Sequence, residues 1–103
     1  MPTPEDTSEL IARLNGETAK IQWHQLQKHY ASGSVIAVSA GFDLIKVAIT
    51  LHRDDTAQIK QWLAQELVTE VTDTQAQRWY NENTLVWALV IPPFVLVQEV
   101  KPS

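Results

Sequence analysis

The stretch from Leu85 to Val100, LVWALVIPPFVLVQEV, constrains the chain more than any other. Its sole charge is Glu99. Two runs rich in β-branched and aromatic residues flank Pro92 and Pro93, and such continuous apolar runs read as strands buried on both faces. Leu85, Trp87, Leu89 and Ile91 point to one side of the pleat, and Val86, Ala88 and Val90 to the other. A proline donates no ladder hydrogen bond, so pairing breaks or bends at the Pro92–Pro93 step. The rest of the chain has to cover this element.

At 103 residues the sequence is expected to form a single domain, 1–103, with 1–3 and 101–103 as loose termini. Hydrophobic residues make up 45% and charged residues 19%, which fits a folded globular chain rather than a disordered one. The net charge of -4 and the scatter of the eight Lys and Arg argue against nucleic-acid binding, which rests on a basic patch. Cysteine is absent, so disulfides, thiolate chemistry and cysteine zinc sites are excluded. The acidic opening MPTPEDTSEL does not read as a signal peptide. Leu85–Val97, the longest apolar run, is too short for a bilayer and holds two prolines. The expectation is a cytoplasmic protein with no membrane partner.

Upstream, the pattern is mainly helical. Thr3 as N-cap, Pro4 at the first helical position and the acids after it predict a helix over Pro4–Leu14, stopped at Asn15–Gly16. Glu17–Gln22 is ambiguous and could add a helical turn. Trp23, Leu26 and Tyr30 share one face of a helix over Trp23–Ser32. Val35–Val38 reads as a strand. Asp43–Leu51 fits two templates: Ile45, Val47, Ile49 and Leu51 alternate as in a strand, whereas Asp43, Lys46, Thr50 and Arg53 form a helical polar stripe. The β-branched content favours a strand in a hairpin with Val35–Val38. Asp55 with Gln58 and Thr72 with Gln75 resemble capping boxes, opening helices over Asp55–Glu66 and Asp73–Asn81 on either side of a short strand near Leu67–Val71. The fold class that follows is α+β, a small antiparallel sheet with about four helices packed mainly on one face.

Chemistry-bearing residues are sparse. His24 and His29 are five apart and do not stack as helical metal ligands would, and His52 is remote in sequence. Asp54–Asp55 reads more simply as a helix start than as a cation site. The three glycines form no phosphate loop, and no Ser or Thr sits in a nucleophile elbow. No catalytic residue, cofactor or metal ligand is expected. Four tryptophans are many for this length. Trp23, Trp62 and Trp79 repeat the spacing of the Leu and Ile positions and are expected in the core, whereas Trp87 stands on a strand apolar on both sides.

Several pieces occur together in a specific order. They are Glu17-Thr18-Ala19-Lys20-Ile21 with Trp23 and Leu26, Gly33-Ser34-Val35-Ile36, and Asp43-Leu44 with Val47-Ala48. Asp54-Asp55, Trp62-Leu63, and Asp73 with Gln75-Ala76 and Trp79 follow, before the ending Trp87-Ala88 and Pro93-Phe94-Val95-Leu96-Val97-Gln98. From about Leu10 to Glu99 the chain resembles the bacterial domain-of-unknown-function family 2288. It departs at Gln22, where many relatives carry proline, and at Phe94, where tryptophan is common. The resemblance implies a small bacterial cytosolic domain and brings no activity with it.

Two functional readings follow. The first is a non-enzymatic interaction or assembly domain: a sheet face left open by helices on the other side would pair two copies into a homodimer, with Trp87 and Phe94 at the contact, and an unknown protein partner is the other form of this reading. The competing arrangement within one chain is that Trp23 and Leu26 fold across the far face. The second functional reading is a small-molecule-binding or enzymatic domain, with Glu17, Thr18, Asp43 and Gln98 lining an aromatic pocket.

Overall fold

A computed structural model describes residues 7–100. In chain order the elements are α1 (Thr7–Glu17), β1 (Ala19–Gln22), a 3-10 turn (Trp23–Leu26), α2 (Gln27–Ala31), β2 (Val35–Val38), α3 (Leu44–His52) and α4 (Thr56–Ala64). Then come β3 (Val68–Glu70), α5 (Asp73–Asn81), β4 (Leu85–Ile91) and β5 (Phe94–Glu99). The proposed N-cap Thr3 and Pro4 lie outside the described residues.

The apolar C-terminal stretch is the centre of the sheet. β4 and β5 pair from Val86↔Glu99 to Ile91↔Phe94, so Pro92 and Pro93, joined by a cis peptide, form the two-residue turn of a hairpin. The strand order is β1-β4-β5-β2-β3. The expected antiparallel sheet is in fact mixed, because β2 runs parallel to β5 with Val35↔Val95 and Ala37↔Val97 in register.

Helices cover both faces, not mainly one, and there are five α-helices among the described residues rather than four. On one face Leu10 and Leu14 of α1, Leu44, Val47 and Ala48 of α3, and Trp62 of α4 pack over Leu89, Leu96, Val38 and Val68. On the other, Trp23 and Leu26 join Ala76 and Trp79 of α5 over Val86, Ala88, Val95 and Val97. This is the arrangement that a strand apolar on both sides demands: Val86, Leu89, Leu96 and Val97 are all at 0% exposure. Such side chains contribute about 1.5–3 kcal/mol each when fully buried. The closure of the far face by Trp23 and Leu26 removes the open face on which the sheet-mediated dimer was argued.

Asp43–Leu51 is not a strand and makes no hairpin with β2. Asp43 caps a helix, its carboxylate accepting the backbone N–H of Ile45 at 3.0 Å and of Lys46 at 3.3 Å. Leu44, Val47 and Ala48 then fall on the buried face while Lys46 faces solvent. The weak strand preference of Ile, Val and Thr yields to the cap and to burial of this face. Conversely, Glu17–Gln22 adds no helical turn beyond Glu17. Ala19–Gln22 is extended and pairs with β4 as an edge strand. The helix expected over Trp23–Ser32 splits into the 3-10 turn and the five-residue α2.

Four helices end alike. Gly33, Asp54, Glu66 and Asn83 each take a positive φ, of 77°, 56°, 60° and 53°. Immediately afterwards an N–H reaches back five residues, as Ser34 to His29, Asp55 to Thr50, Leu67 to Trp62 and Thr84 to Trp79. This left-handed cap satisfies the last carbonyls and turns the chain sharply.

Candidate functional site

The cap at Asp54 folds α4 back beside α3, and together they stand over the end of the sheet formed by the first residues of β2 and β5 and by β3. Between them lies a groove of about 360 Å³. Val35 and Ile36 of β2, Val68 of β3 and Val47 of α3 line its interior. Val47 and Val68 are almost wholly buried, so the interior is fixed by the core. Leu51, Ile59 and Leu63 form the helical walls, and Phe94, at the start of β5, completes the lining. Leu63 and Phe94 stay 45% and 37% exposed. Asp54, Asp55, Lys60 and Glu70 also border the groove, and all four are exposed. A concave apolar surface of this volume with a few charged groups around it has the make-up of a ligand or peptide cleft.

Along α4, Ile59, Trp62 and Leu63 fall at the i, i+3, i+4 spacing that predicts one buried face. Only Trp62 of the three is buried, its ring meeting Phe42 edge to face at 5.1 Å. The signal for the groove was therefore in the pattern: α4 carries more apolar surface than its contact with the core uses.

The four polar residues considered for a pocket do not line this groove. Glu17 ends α1 and is exposed. The Thr18 hydroxyl donates to the Leu14 carbonyl at 2.7 Å. Asp43 caps α3. Gln98 uses its amide nitrogen to hold the β2–α3 loop, donating to the carbonyls of Ser39 at 2.9 Å and Phe42 at 2.6 Å. The loop thus brings Gln98 to the residue before Asp43.

Trp87 is half-buried at the other end of the hairpin from Phe94, with the Lys20 ammonium 4.9 Å from its ring centroid. Trp23, Trp62 and Trp79 are core residues, as their spacing implied. His24 stacks on Tyr80 at 4.5 Å between centroids, with its Nε2 3.1 Å from the Tyr80 carbonyl oxygen. Among the described residues no group of three or more His, Asp or Glu is placed to hold a metal ion. No helix among them is long and apolar enough to cross a membrane.

The chain is similar over its whole length to a solved protein, the NMR solution structure of PA1075 from Pseudomonas aeruginosa. The two are 35% identical, superpose with a TM-score of 0.79, and the match covers 99% of this chain and 94% of that one. No curated protein matches. The model of a family described as protein of unknown function (DUF2288) matches residues 9–99, which takes in every strand, the groove and nearly all of α1. By that match and that likeness, the chain belongs to the DUF2288 family.

Proposed function

We propose that this protein is a non-enzymatic interaction domain that works through the groove between α3, α4 and the end of the sheet. The observation that carries this reading is the pairing of a buried, core-packed interior, Val47 and Val68, with large apolar side chains left exposed at Leu63 and Phe94. Exposed apolar surface beside a preformed cleft marks a place where a partner is bound. A bacterial, cytoplasmic setting belongs to the same proposal, and the Pseudomonas relative supports its bacterial part. The test is titration with the neutral apolar dye Nile red. The folded protein is expected to bind it with a blue-shifted emission, and Leu63→Asp, which changes an exposed side chain, to abolish the shift while keeping the native circular dichroism. Equal dye binding by the variant would remove the groove from the proposal.

Self-association is the second reading, and a specific surface supports it. Val90, Pro92, Pro93 and Phe94 are all exposed at the tip of the central hairpin, with Val90 at 56%. In a two-fold homodimer Phe94 would be at the contact, whereas Trp87 lies away from it under Lys20. Light scattering on a sizing column is expected to give a dimer mass that Val90→Glu reduces to a monomer. A monomer at high micromolar concentration sinks this reading.

A further inference from the structure

The charge around the groove is unbalanced. Asp54, Asp55 and Glu70 stand against one cation, Lys60. Asp55 is partly engaged as the cap of α4, its carboxylate accepting the Gln58 N–H at 3.2 Å. Asp54 and Glu70 make no ion pair among the described residues. Asp54 takes a left-handed backbone at the α3–α4 turn, and its side chain is exposed. Glu70 is the last residue of β3, and β3 is an edge strand with no strand on its far side. All three residues of β3 line the groove, so a sheet edge borders an apolar cleft whose rim is acidic.

We propose that the groove takes an extended peptide segment of a partner protein, with apolar side chains flanked by Lys or Arg. This rests on the groove being the interaction surface. The apolar interior takes the central side chains, the β3 edge offers backbone hydrogen bonds to an extended chain, and Asp54 and Glu70 select the basic flanks. Charge disfavours a second copy of this protein as the occupant. Two such rims face to face would bring like charges together, on chains that already carry -4 each. The exposed hairpin tip of a second copy, Val90 to Phe94, offers no Lys or Arg to answer the acids.

Fluorescence anisotropy with three labelled synthetic peptides tests the idea. They share one apolar centre, Val-Leu-Phe, and differ in flanks of two Lys, two Ser or two Glu. The Lys-flanked peptide is expected to bind about tenfold more tightly than the Glu-flanked one at low salt, with the gap closing as salt is raised. The variant carrying Asp54→Asn and Glu70→Gln is expected to erase the preference and keep the affinity for the Ser-flanked peptide. Asn tolerates the positive φ at position 54, so this variant keeps its fold. Equal affinity for all three peptides overturns the basic flank and leaves the groove's role standing. Binding by none of them, or binding unchanged by Leu63→Asp, overturns both. A dimer that Leu63→Asp dissociates gives the groove to a second copy and overturns the peptide.

Discussion

The indoles of Trp23 and Trp79 meet edge to face, 5.0 Å apart between centroids and tilted by 63°. Both are essentially without solvent contact. They come from opposite ends of the sequence logic, one from a 3-10 turn after the first strand and one from α5, yet together they close the second face of the sheet. Tyr30 adds a further edge contact to Trp23 at 5.6 Å. Neither indole N–H meets an acceptor among the described residues, so packing is the whole of the protein's hold on them.

Trp79→Ala is therefore expected to cost about 3–5 kcal/mol, the range for emptying a large aromatic site. That is a large share of the stability of a small domain. Trp79→Phe is expected to cost much less, since no protein hydrogen bond is lost and the buried unpaired N–H goes with the indole. Urea unfolding followed by circular dichroism measures both.

Gln98 fixes the loop that leads into α3. Gln98→Ala removes donors from two carbonyls and is expected to destabilise by about 1–3 kcal/mol. Gln98→Glu replaces a donor with a carboxylate facing the Ser39 and Phe42 oxygens. Its penalty is expected to be larger at neutral pH than in acid, where the protonated carboxyl can donate again. Denaturation midpoints at the two pH values check the sign.

The non-glycine left-handed caps hold accessible stability. Glu66 sits at φ 60° after α4, where an L side chain costs about 1–2 kcal/mol. Glu66→Gly is expected to raise the melting temperature, by no more than that strain, because glycine also gains unfolded-state entropy. Gly33→Ala is the mirror experiment. A Cβ there meets nothing within 4 Å, so the expected loss comes from the positive φ alone.

Tyr30 links α2 to α5 by donating its hydroxyl proton to the Asp73 carboxylate. The hydrogen bond first, then desolvation and then the carboxylate's charge raise its pKa above the ordinary 10.0. The folded state thus holds this proton more tightly than the unfolded chain. The contribution is complete below pH 10 and is lost as pH rises through the higher folded value. Tyr30→Phe is expected to flatten the fall of stability above pH 10, measured as the wild-type minus variant difference across alkaline pH.

The sequence by itself determined the central strand pair, the short strands at Val35–Val38 and Val68–Glu70, and the helices at Thr56–Ala64 and Asp73–Asn81. It did so because those signals are local: apolar runs, a proline turn, and caps such as Asp55 and Thr72, whose side chains do accept the N–H groups of Gln58 and Gln75. It also placed three of four tryptophans in the core, and its ordered pieces pointed to the family. Tertiary structure decided the rest. Asp43–Leu51 satisfied two periodicities at once, and the Asp43 cap with burial of Leu44, Val47 and Ala48 against α1 and the sheet made the helix the outcome. Ala19–Gln22 carries no strand pattern of its own and is extended because β4 had a free edge. The parallel pairing of β2 with β5 and the division of helices between two faces join residues far apart in sequence, which periodicity does not see. The groove follows from the same source: Leu63 has the spacing of a core residue along its helix, and only the packing of α4 on the sheet leaves it exposed, lining the groove with Phe94.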